Sequence, residues 1–194
     1  MNNCQRLAAI ALPVLLAGCS WVGNTIRSEL STYAEPTSGD MAHIRLIGSR
    51  NVKVYPNSRC VSHTVPGSGY PAGPQMGGQR TRDIGMAKAV GLPRHYVEIA
   101  AVAGQPITIG FSFYIPSYTP GLAGTGAPGR HNASSCHVAR SFVPEAGGNY
   151  EVIAHWWGHY YCNARLVRLE RKTDTGPWLR VDVSSAAADY CQGG

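Results

Sequence analysis

The chain has 194 residues, of which 14% are charged and 44% hydrophobic, with 23 glycines, 13 prolines and a formal net charge of +6. That length suits one domain with a core of its own, and the abundance of glycine and proline beside so little charge excludes a helical bundle in favour of short strands joined by many turns. The basic excess is modest and no basic stripe interleaved with aromatics accompanies it, which argues against a nucleic-acid partner.

In chain order the first element is a signal segment. A polar start with Arg6 leads into the apolar run 7–16, shorter than the roughly 20 residues a membrane-spanning helix needs, and ends in Leu16-Ala17-Gly18-Cys19. A branched residue and two small ones before a cysteine form a lipobox, and the pattern resembles bacterial lipoprotein signals. The resemblance implies a signal peptide over residues 1–18, cleavage between Gly18 and Cys19, a diacylglycerol on the Cys19 thiol and an acylated new amine, with attachment to a membrane through that lipid. Cys4 and the charge of Arg6 leave with the signal. Ser20 stands where inner-membrane retention resembles an Asp, so the expected address is the cell envelope, at the outer membrane. Residues 19–40 are expected to be the lipidated cysteine and a flexible tether, with Pro36 near its end, and residues 41–194 a folded domain.

The domain opens with two short alternating runs, 41–47 and 52–55, separated by Ser49-Arg50-Asn51, and this pattern predicts a hairpin. Residues 62–93 carry Gly and Pro at many positions and are expected as a long loop, with one or two helical turns over 83–90. Loops of that length are uncommon in compact domains, which makes this one a candidate partner surface. Strands are predicted over 96–102 and 106–115, the second rich in Ile, Phe and Tyr. A second Gly/Pro-rich loop, 116–134, precedes strands at 136–143, 149–170 (a hairpin) and 178–184. Together these predict an all-β fold, a single antiparallel β-sandwich with long Gly/Pro-rich loops.

The hairpin's register follows from its side chains. A three-residue loop Trp157-Gly158-His159 sets Tyr150, Val152, Ala154 and Trp156 on one face with Tyr160, Cys162, Ala164 and Leu166, and places Glu151 opposite Arg165 on the other. A slip of one residue would turn the apolar set to water, so burial rather than the ion pair governs the choice.

After Cys19 four cysteines remain, Cys60, Cys136, Cys162 and Cys191, an even number that favours two disulfides in an oxidising compartment. Zinc usually takes two ligands from a tight pair, whereas the closest of these cysteines are 26 residues apart. Spacing leaves three pairings open. The predicted strands favour Cys136 with Cys162, on neighbouring or facing strands, and Cys60 with Cys191, which would tie the C-terminal tail to the end of the first hairpin.

The chemistry-bearing residues are sparse. His155 and His159 have a spacing that works on a helix but straddles a turn in a hairpin, and His131 and His137 flank a loop with no carboxylate pair beside them. No Gly-x-Ser-x-Gly elbow or phosphate-binding glycine loop occurs, and no two of the 11 acids stand out as a catalytic pair. Hence no catalytic residue, metal or cofactor is expected, and the chain is read as a non-enzyme. Trp156, Trp157, Tyr160 and Tyr161 crowd the hairpin tip, either closing the core or offering an aromatic platform to a glycan or protein, and Arg165, Arg168, Arg171 and Lys172 form the densest basic stretch. The candidate partner surface is Trp157, His159, Tyr161 and Arg165.

The segments Glu35-Pro36-Thr37-Ser38-Gly39, Val54-Tyr55-Pro56-Asn57-Ser58-Arg59-Cys60, Ala103-Gly104-Gln105-Pro106-Ile107 and the run from Ser141-Phe142-Val143-Pro144 to Asn149-Tyr150-Glu151 resemble those of a proteobacterial group of Gram-negative lipoproteins without an assigned activity. The later half is also similar to transthyretin-like or PEGA-type β-sandwich modules that follow lipid anchors. What the resemblance implies is a lipid-anchored envelope lipoprotein with a binding or structural role, facing the periplasm or the cell surface, with an envelope protein or glycan as partner. The alternative is a metal-dependent hydrolase acting on envelope glycans or lipids, which requires three of His131, His137, His155 and His159 to converge with a carboxylate.

Overall fold

The computed structural model describes residues 30–49, 51–62, 64–71, 73, 81–120, 130–157 and 161–192, so the signal segment, Cys19 and His159 lie outside the described residues. Its strands are β1 (Met41–Ile47), β2 (Asn51–Pro56), β3 (Val97–Val102), β4 (Ile107–Thr119), β5 (Arg130–Phe142), β6 (Asn149–Trp156), β7 (Cys162–Glu170), β8 (Leu179–Asp182) and β9 (Ala186–Ala187). Sheet 1 runs β3-β1-β6-β7-β8 and sheet 2 runs β2-β4-β5-β9, and the two pack face to face as an all-β sandwich. The core between them takes the alternate residues of each strand, including Ile44, Ile99, Val152 and Leu166 from sheet 1 and Val52, Val54, Ile109 and Phe111 from sheet 2.

The expected first hairpin does not form, because β1 and β2 belong to different sheets. Gly48 is the reason: its φ is +118°, and a Cβ there would stand 1.9 Å from the Ala154 carbonyl oxygen, so only glycine passes this close to β6 in that conformation. The chain therefore turns across the sandwich, and Ser49 fixes the crossing by donating its hydroxyl to the Ser112 carbonyl at 2.7 Å. Neighbouring strands are antiparallel except β1 and β6, which run parallel. A parallel pair needs a long crossover, and the excursion from β1 through β2 to β5 supplies it.

In the β6–β7 hairpin Val152 faces Leu166, Ala154 faces Ala164 and Trp156 faces Cys162. The apolar set lies on one face as expected, yet the register is offset by two residues from the anticipated one. Glu151 consequently pairs with Val167, and Arg165 with Ile153. A shift of two leaves every side chain on its face, so burial fixes the parity while leaving the cross-strand partner free to change.

Three loop expectations also change. β4 and β5 pair as far as Thr119 with Arg130, so the loop expected over 116–134 is strand at both ends. Residues 83–90 contain no helix. The tether expected to reach residue 40 joins the domain earlier. Tyr33 sits in the main core, its N–H donating to the Tyr70 carbonyl and its hydroxyl to that of Ala100, so this stretch closes the open side between edge strands β2 and β3.

The cysteine pairing is the expected one. Cys60–Cys191 has its Cα atoms 5.1 Å apart and Cys136–Cys162 has them 6.0 Å apart, both within normal disulfide geometry.

Candidate functional site

A sheet in a two-layer sandwich has an outer face that water or another layer must cover. On sheet 1 the cross-strand row Glu98–Arg45–Glu151 lies on that outer face, and all three side chains are 0% exposed. Arg45 donates to Glu98 Oε1 from Nε at 2.8 Å and from Nη2 at 2.6 Å, to Glu151 Oε1 from Nη1 at 2.6 Å, and to the Ala87 carbonyl at 2.9 Å. Glu98 Oε2 accepts the Ile84 and Met86 N–H groups, and Arg180 donates to the second oxygen of Glu151. Two positive and two negative charges thus balance, and the carboxylate and guanidinium hydrogen-bonding capacity is largely met, as buried charges require.

The layer over this network is a strap, residues 81–92, whose Met86 and Ala89 are buried on its inner side, while Leu92 and the following Tyr96 pack on Ile47, Ile153 and Val167. At its start Arg82 forms a two-pronged pair with Glu35, at 2.6 and 2.7 Å, which clips the strap to the incoming N-terminal segment. Burial alone would raise the Glu35 carboxyl, but the hydrogen bonds from Arg82 and from the Ala100 N–H outweigh it and hold the group below its ordinary range. Part of the loop expected as a partner surface is therefore structural.

The far end of the sandwich is different. β4 and β5 run on together past Ser112, where β2 stops, and Cys136–Cys162 joins the two sheets there beside an edge-to-face contact of Phe113 with Trp156, centroids 5.7 Å apart. Between this overhang, the Gly48-Ser49 crossing and the end of β6 opens a groove of about 570 Å³, a volume in the range of ligand sites, lined among others by Phe113, Tyr114, Ile115 and His155.

Next to it the Trp157 N–H donates to the Tyr161 carbonyl, so these two residues stand opposite one another, on the same outer face of the hairpin as His155 and Arg165. Trp157 is 71% exposed and Tyr161 66%. The His155 ring lies 6.2 Å from that of Trp157 and connects the pair to the groove. Of the residues expected in a partner surface, Trp157, Tyr161 and Arg165 are brought onto one face, and Arg165 faces a distant, solvent-exposed Asp182 at 4.0 Å. His155, Tyr114 and Ile115 were missed. Their signal was present in the sequence, since Tyr114 and Ile115 precede a Pro in a run read wholly as core.

Of the histidines weighed as metal ligands, His137 points out of sheet 2, hydrogen-bonded through Nδ1 to Ser112 Oγ at 3.1 Å and stacked on Tyr190, while His155 points out of sheet 1. Partial burial lowers the His137 pKa. Among the described residues no three of His, Cys, Asp and Glu gather as a metal site would require. His131 lies in β5 opposite Tyr118. No protein-family model matches the chain, and no match is found among curated proteins or solved structures.

Proposed function

We propose that this protein is a lipid-anchored lipoprotein of the cell envelope, held at the outer membrane through Cys19, whose sandwich binds an envelope glycan with the outer face of its β6–β7 hairpin. The observation that carries the reading is the pairing of two large exposed rings, Trp157 and Tyr161, beside His155, Arg165 and the end groove. Exposed aromatic faces stack on the apolar faces of sugar rings while His and Arg donate to hydroxyl or acidic groups, and apolar patches left open in this way mark interaction sites. The two disulfides support an oxidising compartment, in keeping with export.

Two measurements test the proposal. Mass spectrometry of protein purified from membranes should find Cys19 as the lipidated N-terminus, and Cys19→Ser should release the chain from them; an unmodified, soluble wild type would contradict the anchor. Tryptophan fluorescence titrated with isolated envelope polysaccharide should change saturably, and Trp157→Ala with Tyr161→Ala should abolish binding with the unfolding midpoint unchanged. Undiminished binding by the double variant would refute the site.

A further inference from the structure

Each sheet ends in two edge strands whose outward N–H and C=O groups need a partner or water, and three of the four edges here are protected. At β3 the Glu98 N–H donates to the Arg82 carbonyl at 2.9 Å, while the Ala100 N–H donates to Glu35 and the Ala100 carbonyl accepts from the Tyr33 hydroxyl, each at 3.0 Å. At β2 Val54 and Gly69 exchange both backbone bonds, at 2.9 and 3.0 Å. β9 is only two residues long. The remaining edge, β8, has no backbone partner beyond β7 among the described residues.

The register of β8 on β7 decides which of its groups look outward. The Val183 N–H, just past the strand, donates to the Leu166 carbonyl at 3.1 Å. Bonding alternates along an antiparallel ladder, so Leu179 and Val181 also bond to β7, and the backbone groups of Arg180 and Asp182 point out along the edge. Leu179 and Val181 share the face of Val183, which packs on the core, yet they are 42% and 41% exposed. Residues 179–184 contain no proline or lysine of the kind that discourages edge pairing.

This edge is complementary to itself. Two copies of β8 laid antiparallel about a two-fold axis at Val181 bring Arg180 of each opposite Asp182 of the other. Both outward residues of each strand then exchange their backbone bonds, and the apolar row is covered, with Val181 against Val181 on the axis and Leu179 against Val183 on either side. A slip of two residues keeps the bonding parity but sets Arg180 against Arg180 or Asp182 against Asp182, and like charges directly opposite destabilise a strand pair. Arg180 is already bonded to Glu151 and to the Val90 carbonyl, so the pairing draws on no uncompensated charge: backbone bonds and the apolar row carry it, and the charges choose its register. We propose that β8 is the contact edge of a symmetric dimer of this chain, in which the two five-stranded sheets join into one. A contact of one short strand falls below the about 800 Å² per partner of standard interfaces, so the dimer is reversible and concentration-dependent. The axis is perpendicular to the sheet, so the outer faces of both copies, with their β6–β7 hairpins, look the same way.

The test is sedimentation velocity of the full chain, disulfides intact, in detergent over a wide concentration range. Wild type should pass reversibly from monomer to dimer, and Val181→Lys, which sets two like charges on the axis, should weaken association at least about tenfold with the unfolding midpoint unchanged. Asp182→Pro removes an outward N–H without touching the β7 ladder and should do the same. Val181→Cys should form a disulfide between copies under mild oxidation, since facing residues of a non-hydrogen-bonded pair lie within disulfide reach, whereas Leu179→Cys, whose counterpart is Val183, should not. Val181 is at the surface, so its variants keep the test decisive even where Asp182→Pro fails to fold. A wild type that is monomeric at every concentration, a dimer undiminished in folded Val181→Lys, or equal cross-linking by both cysteine variants would overturn the proposal. So would protection of the Arg180 and Asp182 amides from hydrogen exchange only when envelope extract is added, which would give the edge to a strand of another protein.

Discussion

The two sheets solve one problem differently. Each has an outer face that the partner sheet cannot cover. Sheet 1 fills its face with charge and seals it under the strap, whereas sheet 2 covers Tyr55 and Ala139 with Val61 and Ala188 from disulfide-linked segments and keeps a shallow pocket over Gly110, walled by Tyr70 and Tyr190, open. Charges can be sealed only when every partner is present, so the first face has no freedom to accept a ligand. A tail pinned at two points covers unevenly. The contrast teaches that an ion-pair network in this fold is scaffold, while a glycine in a strand interior leaves a sheet face incompletely covered.

The largest break in the comparison should come from Arg45→Met. It leaves Glu98 buried without the Arg45 counter-charge and Glu151 with Arg180 alone, and the expected loss is about 3–5 kcal/mol in urea unfolding. A midpoint equal to that of wild type would mean the network is solvated and the strap is not a seal. Next comes the other face. Replacing Cys60 and Cys191 with serine should cost about 2–5 kcal/mol, with the larger value favoured by a sequence separation of 131 residues. The same variant should free Tyr190 and let the His137 pKa return upward toward its ordinary value, because the burial that lowers it is lost. A His137 titration identical in both proteins would show that the tail is held by other contacts.

The smallest effect concerns the clip between strap and N-terminal segment. The folded-state pKa of Glu35 is below its unfolded value, so the clip contributes fully above the ordinary carboxylate range and is lost as pH falls through the folded value. Glu35 is partly exposed, so the effect is modest. The stability difference between wild type and Glu35→Gln, followed by thermal unfolding from about pH 7 to about pH 3, should shrink on acidification. A difference that grows instead would reverse the assignment.

Much of this was legible in the sequence, and the exceptions share a cause. The all-β class, most strands, the face of the β6–β7 hairpin and both disulfides follow from alternation, turn residues and cysteine parity, which are local or simply countable. What alternation cannot show is which face has a second cover. Arg45, Glu98 and Glu151 sit at positions that read as solvent-facing, and only the seating of Met86 and Ala89 above them turns that surface inward. The separation of β1 from β2 depended on one glycine's close approach to a strand about 100 residues away, which no local window contains. Tyr33 was assigned to a tether because its neighbours are small and polar, and its role became visible only once the open side between β2 and β3 existed for it to fill. The candidate surface was half legible: Trp157, Tyr161 and Arg165 share a face by period-two spacing, while Tyr114, Ile115 and His155 join them through three-dimensional proximity at the strand ends.

Hydroxyl-radical footprinting read out by mass spectrometry tests the contrast between the two faces most directly. Met86, 4% exposed on the inner side of the strap, should resist oxidation in the native protein despite the high intrinsic reactivity of its thioether, while Tyr190, 60% exposed at the wall of the open pocket, should react nearly as fast as in unfolded chain. Rapid oxidation of Met86 together with protection of Tyr190 would contradict the account, because it would place the open face on sheet 1 and the sealed one on sheet 2.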